Sequence, residues 1–172
     1  MPSDNPAPND QAPELLAEKK LQSDLVAAFQ FLADKITIQR VRRLWADVPL
    51  DQLHPVLIHA KEQLGFIMLC TITGTDEGET LGLLYHLATE SGIVLTLVTT
   101  APKDGPGPQT ITPYFPYAEL YEREVVDLLG VRIQGLPPGN RYPLPEGWPD
   151  GQYPLRKDWS RDAVDAPKET KK

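Results

Sequence analysis

The sequence predicts an α+β fold: a two-layer sandwich of helices on a mostly antiparallel sheet, with an extended Pro/Gly-rich C-terminal arm. Three observations carry this expectation. Segments 14–35 and 50–64 have helical apolar spacing, whereas 36–45 and 66–73 are short β-branched or apolar runs. Two further runs, 81–88 and 93–100, follow with only turn-forming residues between them, as in a hairpin. Residues 135–154 hold six prolines and four glycines, which starves helix and ladder alike of N–H donors and backbone restraint.

The elements follow in order. Residues 1–13 are rich in Pro, Asn and Asp and are expected to be disordered. In 14–35, Leu21, Leu25, Phe29 and Leu32 recur at steps of four and three, so one helix is expected with those side chains on one face. Residues 36–45 read as one strand whose Arg40, Arg42 and Arg43 face solvent or a partner. Pro49 opens a helix over 50–64, with Leu53, Leu57 and Leu64 apolar, and Gly65 stops it. The run 66–73, bounded by Gly65 and Gly74, reads as a central strand, and Asp76-Glu77-Gly78-Glu79 as a turn. Residues 102–108 form a loop. Over 117–129 helical spacing returns, with Tyr117, Tyr121, Val125 and Leu128 in one stripe and Gly130 at the C-terminal stop. The organisation is therefore a tail (1–13), an α+β domain (14–130), a partner-binding arm (131–159) and a charged tail (160–172).

Composition narrows the function. A net charge of −7 argues against nucleic acid as a partner. The longest apolar run, 66–72, is too short to span a bilayer, and the first residues lack the basic and apolar regions of an export signal. The single cysteine, Cys70, cannot form an internal disulfide or hold a cluster by itself, and between Leu69 and Thr71, with no basic residue near it in sequence, it reads as an ordinary buried thiol.

Few residues suggest chemistry within the chain. Asp76, Glu77 and Glu79 lie in a turn, where acidic residues are ordinary. His54 and His59 are five apart on a helix and do not share a face. His86, in an apolar strand, reads as a hydrogen-bonded core histidine. Glu119, Arg123 and Asp127 form two successive i,i+4 opposite-charge pairs, the usual mark of a solvated helix face. The arm carries more: Arg141, Tyr142, Trp148, Tyr153, Arg156 and Trp159 are of the types that dominate interface hot spots. Either the arm folds over its own domain and buries those rings, or a neighbour covers them.

Two segments then point to a family. Residues 119–130 (ELYEREVVDLLG) and 153–159 (YPLRKDW), with ITGTDEGE, YHL and TPYFPYAELYERE upstream, resemble the signature of the 30 kDa (C-type) subunit family of respiratory complex I (NADH-quinone oxidoreductase). Glu122, Arg123, Glu124, Asp127 and Gly130 match the helix motif, and Pro154, Leu155, Arg156, Lys157 and Asp158 match the box. The resemblance implies a non-redox subunit of the peripheral arm that scaffolds a complex coupling electron transfer to ion translocation. It implies no catalytic residue, cofactor or metal in this chain. Iron–sulfur clusters, and a NiFe centre in a hydrogenase, would lie in partners: the large catalytic subunit and neighbouring iron–sulfur subunits. The implied location is the cytoplasmic side of the membrane, reached only through the complex. Leu136 stands where many members have a basic residue, and Arg141 is the only basic residue of 135–155; this variant resembles the homologous subunit of membrane-bound energy-converting [NiFe] hydrogenases. A free-standing adaptor or assembly factor, and a self-contained enzyme, are the other readings.

Overall fold

The computed structural model describes residues 15–161. The expected tail at 1–13, and all but the first two residues of the tail at 160–172, lie outside them. Helix α1 spans Leu16–Ala28, strands β1 and β2 span Ile36–Arg40 and Arg43–Asp47, and helix α2 spans Leu50–Leu64. Strands β3 (Met68–Asp76), β4 (Thr80–Ala88) and β5 (Val94–Pro102) follow, then helix α3 (Ala118–Leu129). The sheet order is β1-β2-β5-β4-β3; β2 and β5 are parallel and every other pair is antiparallel. The α+β expectation holds.

Strand periodicity places the core. Leu81, Leu83, Tyr85 and Leu87 of β4, with Leu95 and Leu97 of β5, alternate toward one face and are fully buried. Leu25, Leu53, Leu57, Val125 and Leu129 from the three helices join them in one cluster. The α3 helix rides close over β3 because Gly74 has no side chain; a Cβ there would collide with Leu129 and lie 3.1 Å from Val125 Cγ1.

Four expectations are corrected here. The first helix ends at Ala28; Phe29, at φ −133°, breaks it before a short 3-10 turn over Gln30–Leu32. Leu25 and Leu32 still reach the core, so the apolar pattern survives a change of backbone. Residues 36–45 are a hairpin rather than one strand, turning where Arg42 adopts φ 59°; the Glu18 carboxylate accepts the Arg42 backbone N–H at 2.7 Å. The run at 66–73 is not central: β3 is an edge strand. Ile72 and Gly74 of this strand lie against α3, whereas Ile67 and Met68 are exposed. A register irregularity between Leu69 and Thr71 leaves Cys70 exposed, so the expected buried thiol is on the surface.

Candidate functional site at the junction of helix and arm

Helix α3 is tied down on both flanks by its own acids. Glu122 is fully buried. It accepts the Thr110 hydroxyl at 2.5 Å and the Ile111 N–H at 2.7 Å, fixing the loop that leads from β5 to α3. Burial is the largest influence on it and raises its pKa above the ordinary 4.5, against the opposing effect of those two donors. Tyr85, buried on β4, has its pKa raised by burial and then by the Glu122 charge. Asp127 is also buried: Oδ1 accepts Arg141 Nε at 2.5 Å and Oδ2 accepts the Leu144 N–H at 2.8 Å. The solvated-face reading of this helix is thus corrected for Glu122 and Asp127. Of the two expected i,i+4 pairs, Glu119–Arg123 forms at 2.8 Å, whereas Asp127 pairs with the arm instead. Arg123 also donates to the Pro137 carbonyl at 2.7 Å.

The buried stripe of α3 is Ala118, Glu122, Val125 and Leu129, offset from the expected one. Tyr117 is 84% exposed and Leu120 52% exposed. A purely apolar count misplaces the stripe because its inward positions include a carboxylate that the loop satisfies.

The arm folds back rather than extending. Arg141 Nη1 donates to the Trp148 carbonyl at 2.6 Å, and its other carboxylate neighbour, Asp150, is 3.7 Å away. Trp148 Nε1 donates to the Gln152 carbonyl at 2.8 Å, and its ring lies 6.0 Å from that of Trp159. The guanidinium of Arg156 sits over the Tyr153 ring at 4.4 Å and donates from Nε to the Leu129 carbonyl at 2.6 Å. It therefore caps the C-terminal end of α3, where unpaired carbonyls favour a cation. Gly130 makes the close approach possible: it adopts φ 74°, and a Cβ would sit 2.6 Å from the Tyr153 ring and 2.7 Å from Arg156 Nη2. The Leu155 N–H donates to Leu128 O at 3.1 Å.

Asp76, which reads in the sequence as an ordinary turn acid, completes the clasp. Its carboxylate receives Lys103 Nζ at 2.9 Å, the Lys157 N–H at 2.8 Å and the Gly78 N–H at 2.7 Å. The Lys103 contact, followed by the two backbone donors, holds its pKa far below the ordinary carboxylate range. Asp158 reaches only to 3.8 Å from Lys103 and is exposed. The signal available in the sequence is the spacing of Asp76 from an RKD box, which says nothing of contact without a fold.

The expected site residues thus divide. Glu122, Arg123, Asp127, Gly130, Arg141, Trp148, Tyr153, Pro154, Arg156 and Trp159 pack within the junction. Tyr142, Leu155, Lys157 and Asp158 are exposed, and Glu124 is half-buried beside the β3 edge. Arg156 meets carbonyls rather than carboxylates. His54 and His59 point to different rings, those of Tyr114 and Phe29, while His86 bonds to Thr96 and Thr73. No group of three or more His, Cys, Asp or Glu side chains that could hold a metal occurs among the described residues. None of the described helices is long and apolar enough to cross a membrane.

Known proteins are similar to this chain. Residues 46–164 match the family described as respiratory-chain NADH dehydrogenase, 30 Kd subunit. The C subunit of NADH-quinone oxidoreductase from Moorella thermoacetica is 31% identical over 71% of this chain and 92% of its own length. The beta subunit of the membrane-bound hydrogenase from Pyrococcus furiosus is 36% identical over 48% of this chain and 50% of its own. Among solved structures, a chain of the membrane-bound sulfane sulfur reductase, an archaeal respiratory membrane complex, superposes with a TM-score of 0.72 at 28% identity, covering 85% of this chain and 87% of that one. The match over residues 46–164 and the relative from Moorella thermoacetica show that this chain belongs to the 30 kDa subunit family of the respiratory-chain NADH dehydrogenase.

Proposed function

We propose that this complex I 30 kDa-type subunit is a non-redox scaffold that docks the large catalytic subunit on the surface made by α3 and the folded-back arm. The observation that carries this is the clasp itself. Arg141–Asp127 and Arg156–Leu129 O anchor the arm, yet Tyr117, Leu120, Tyr142 and Leu155 remain exposed around it. Rigid backbone with exposed rings and leucines loses little entropy on binding, which suits a permanent interface. In this reading the redox groups belong to the partners: iron–sulfur clusters, with a NiFe centre if the complex is a hydrogenase. The chain's part is to keep those centres in register. It sits peripherally on the cytoplasmic side and meets the membrane only through the complex.

The hydrogenase branch is favoured by the sequence after α3, where Leu136 stands in place of a basic residue and Arg141 is the only basic residue of 135–155, and by the relative from Pyrococcus furiosus. Pull-down from solubilised membranes, with identification of the large partner and a nickel assay, tests both levels. A nickel-containing large subunit supports the hydrogenase branch. A nickel-free quinone-reducing complex leaves the scaffold role and removes the branch. Recovery of the chain alone removes the scaffold role.

A further inference from the structure

We propose that the free edge of β3 is a second docking site, which accepts an extended segment of a partner subunit as a sixth strand of the sheet. The idea rests on the chain being a subunit of a larger complex, and its cleft shares Leu155 with the arm surface proposed above.

The edge is long, and the register irregularity between Leu69 and Thr71 is the one interruption along it. Strand β3 runs nine residues, Met68–Asp76, and pairs only with β4. Its sequence, MLCTITGTD, has no Pro, no Lys and no charge before Asp76. Natural edge strands are usually blunted by such residues or by a covering element, because bare N–H and C=O groups recruit another chain. The opposite edge, β1, is five residues long, ends in Arg40 and leads into a hairpin turn. Among the described residues, no loop backbone pairs with the outer groups of Leu69–Thr75.

The surroundings fit an incoming strand. Exposed Ile67 and Met68 stand at one end of the edge. Further along, a cleft of about 240 Å³ runs between β3 and α3, with Ile72, Glu124, Leu128 and Leu155 in its wall. Ladder hydrogen bonds are matched only by extended backbone, and side chains alternating along that backbone would enter the cleft every second residue. The cleft asks for apolar residues flanking one Lys or Arg opposite Glu124. A second copy of this chain fits worse: it brings its own Glu124 and a net charge of −7 to the same edge. The occupant is therefore a basic, apolar, extended stretch of a different subunit.

Cys70, the only cysteine and exposed on this strand, supplies a probe. Amide exchange across 68–76 is compared between the isolated full chain and the purified complex, and a short thiol-to-amine cross-linker is reacted from Cys70 in that complex. Expected are at least tenfold slower exchange of alternate amides in the complex and a cross-linked peptide from another subunit. Equal exchange in both states overturns the proposal. So does slow exchange in the isolated chain, or a cross-link to this chain's own termini or to a second copy. A complex that assembles with β3 unprotected refutes this site and leaves the arm interface standing.

Discussion

Arg141 and Asp127, fourteen residues apart, meet at 2.5 Å between Nε and Oδ1, with the carboxylate nearly sealed from water. The contact joins the middle of the arm to α3. The other oxygen of Asp127 accepts the Leu144 N–H, so both lone-pair sets point into the arm. This is a fold-defining pair: among the described residues, the partners of the helix's buried Asp127 charge come from the arm.

Replacing Arg141 with Ala should leave Asp127 as a buried, half-satisfied carboxylate. Breaking such a pair typically costs about 3–5 kcal/mol, and Arg141's partial exposure lowers the expectation to about 2 kcal/mol. Urea unfolding measures the loss, and limited proteolysis should cut near residues 140–150 first. Asp127→Asn keeps an acceptor for Leu144 and should cost less.

Glu122 gives a pH dependence. Its folded pKa is raised, so the folded state binds a proton more tightly than the unfolded chain. Stability from this group is therefore greatest at low pH and is lost as pH climbs from 4.5 through the raised value. Glu122→Gln, which keeps an acceptor for Ile111, should flatten that segment of the stability–pH curve and change stability little at low pH. Glu122→Ala strands the Thr110 and Ile111 donors and should cost about 2–3 kcal/mol at low pH, and less as pH rises through that range. Unfolding midpoints measured on both sides of that range separate the two.

Asp76 works with the opposite sign. Its depressed pKa means that its contribution is complete above 3.8 and fades as pH falls below that value. The part of the fold at stake is the clasp among β3, Lys103 and the Lys157 N–H. Asp76→Asn at neutral pH should speed amide exchange at Lys157, reproducing what acid does to the unmodified chain. Unchanged exchange at Lys157 would show that Arg156 and the Leu155–Leu128 hydrogen bond hold this end of the arm without Asp76.

Gly130→Ala tests the close approach at the end of α3. The residue needs a left-handed backbone and has Tyr153 and Arg156 where a Cβ would go. Strain and displacement together should cost about 1–2 kcal/mol and loosen the arm's end. Gly65→Ala, at φ 75° with open space around it, carries the backbone strain alone and is the control.

Much of the domain was legible because its signals are local. Pro49 and Gly65 bracket α2 in the sequence, and α2 spans Leu50–Leu64. Strands β4 and β5 show their buried alternation directly. Less was legible where a distant residue decides. Nothing near Cys70 announces that β3 lies at an edge, and nothing within 119–130 says that Glu122 and Asp127 find donors in a loop and an arm. The arm's prolines correctly excluded helix and ladder, but not the turns by which Arg141, Arg156 and Lys157 fasten it to α3 and Asp76.

The most direct measurement is co-purification of the large subunit with a chain carrying Leu120→Glu and Tyr142→Glu, two exposed positions outside the clasp. Circular dichroism and unfolding should match the unmodified chain. If the surface of α3 and arm is where the large subunit docks, its recovery should fall at least tenfold. Full recovery of an active complex with both substitutions present would contradict that placement.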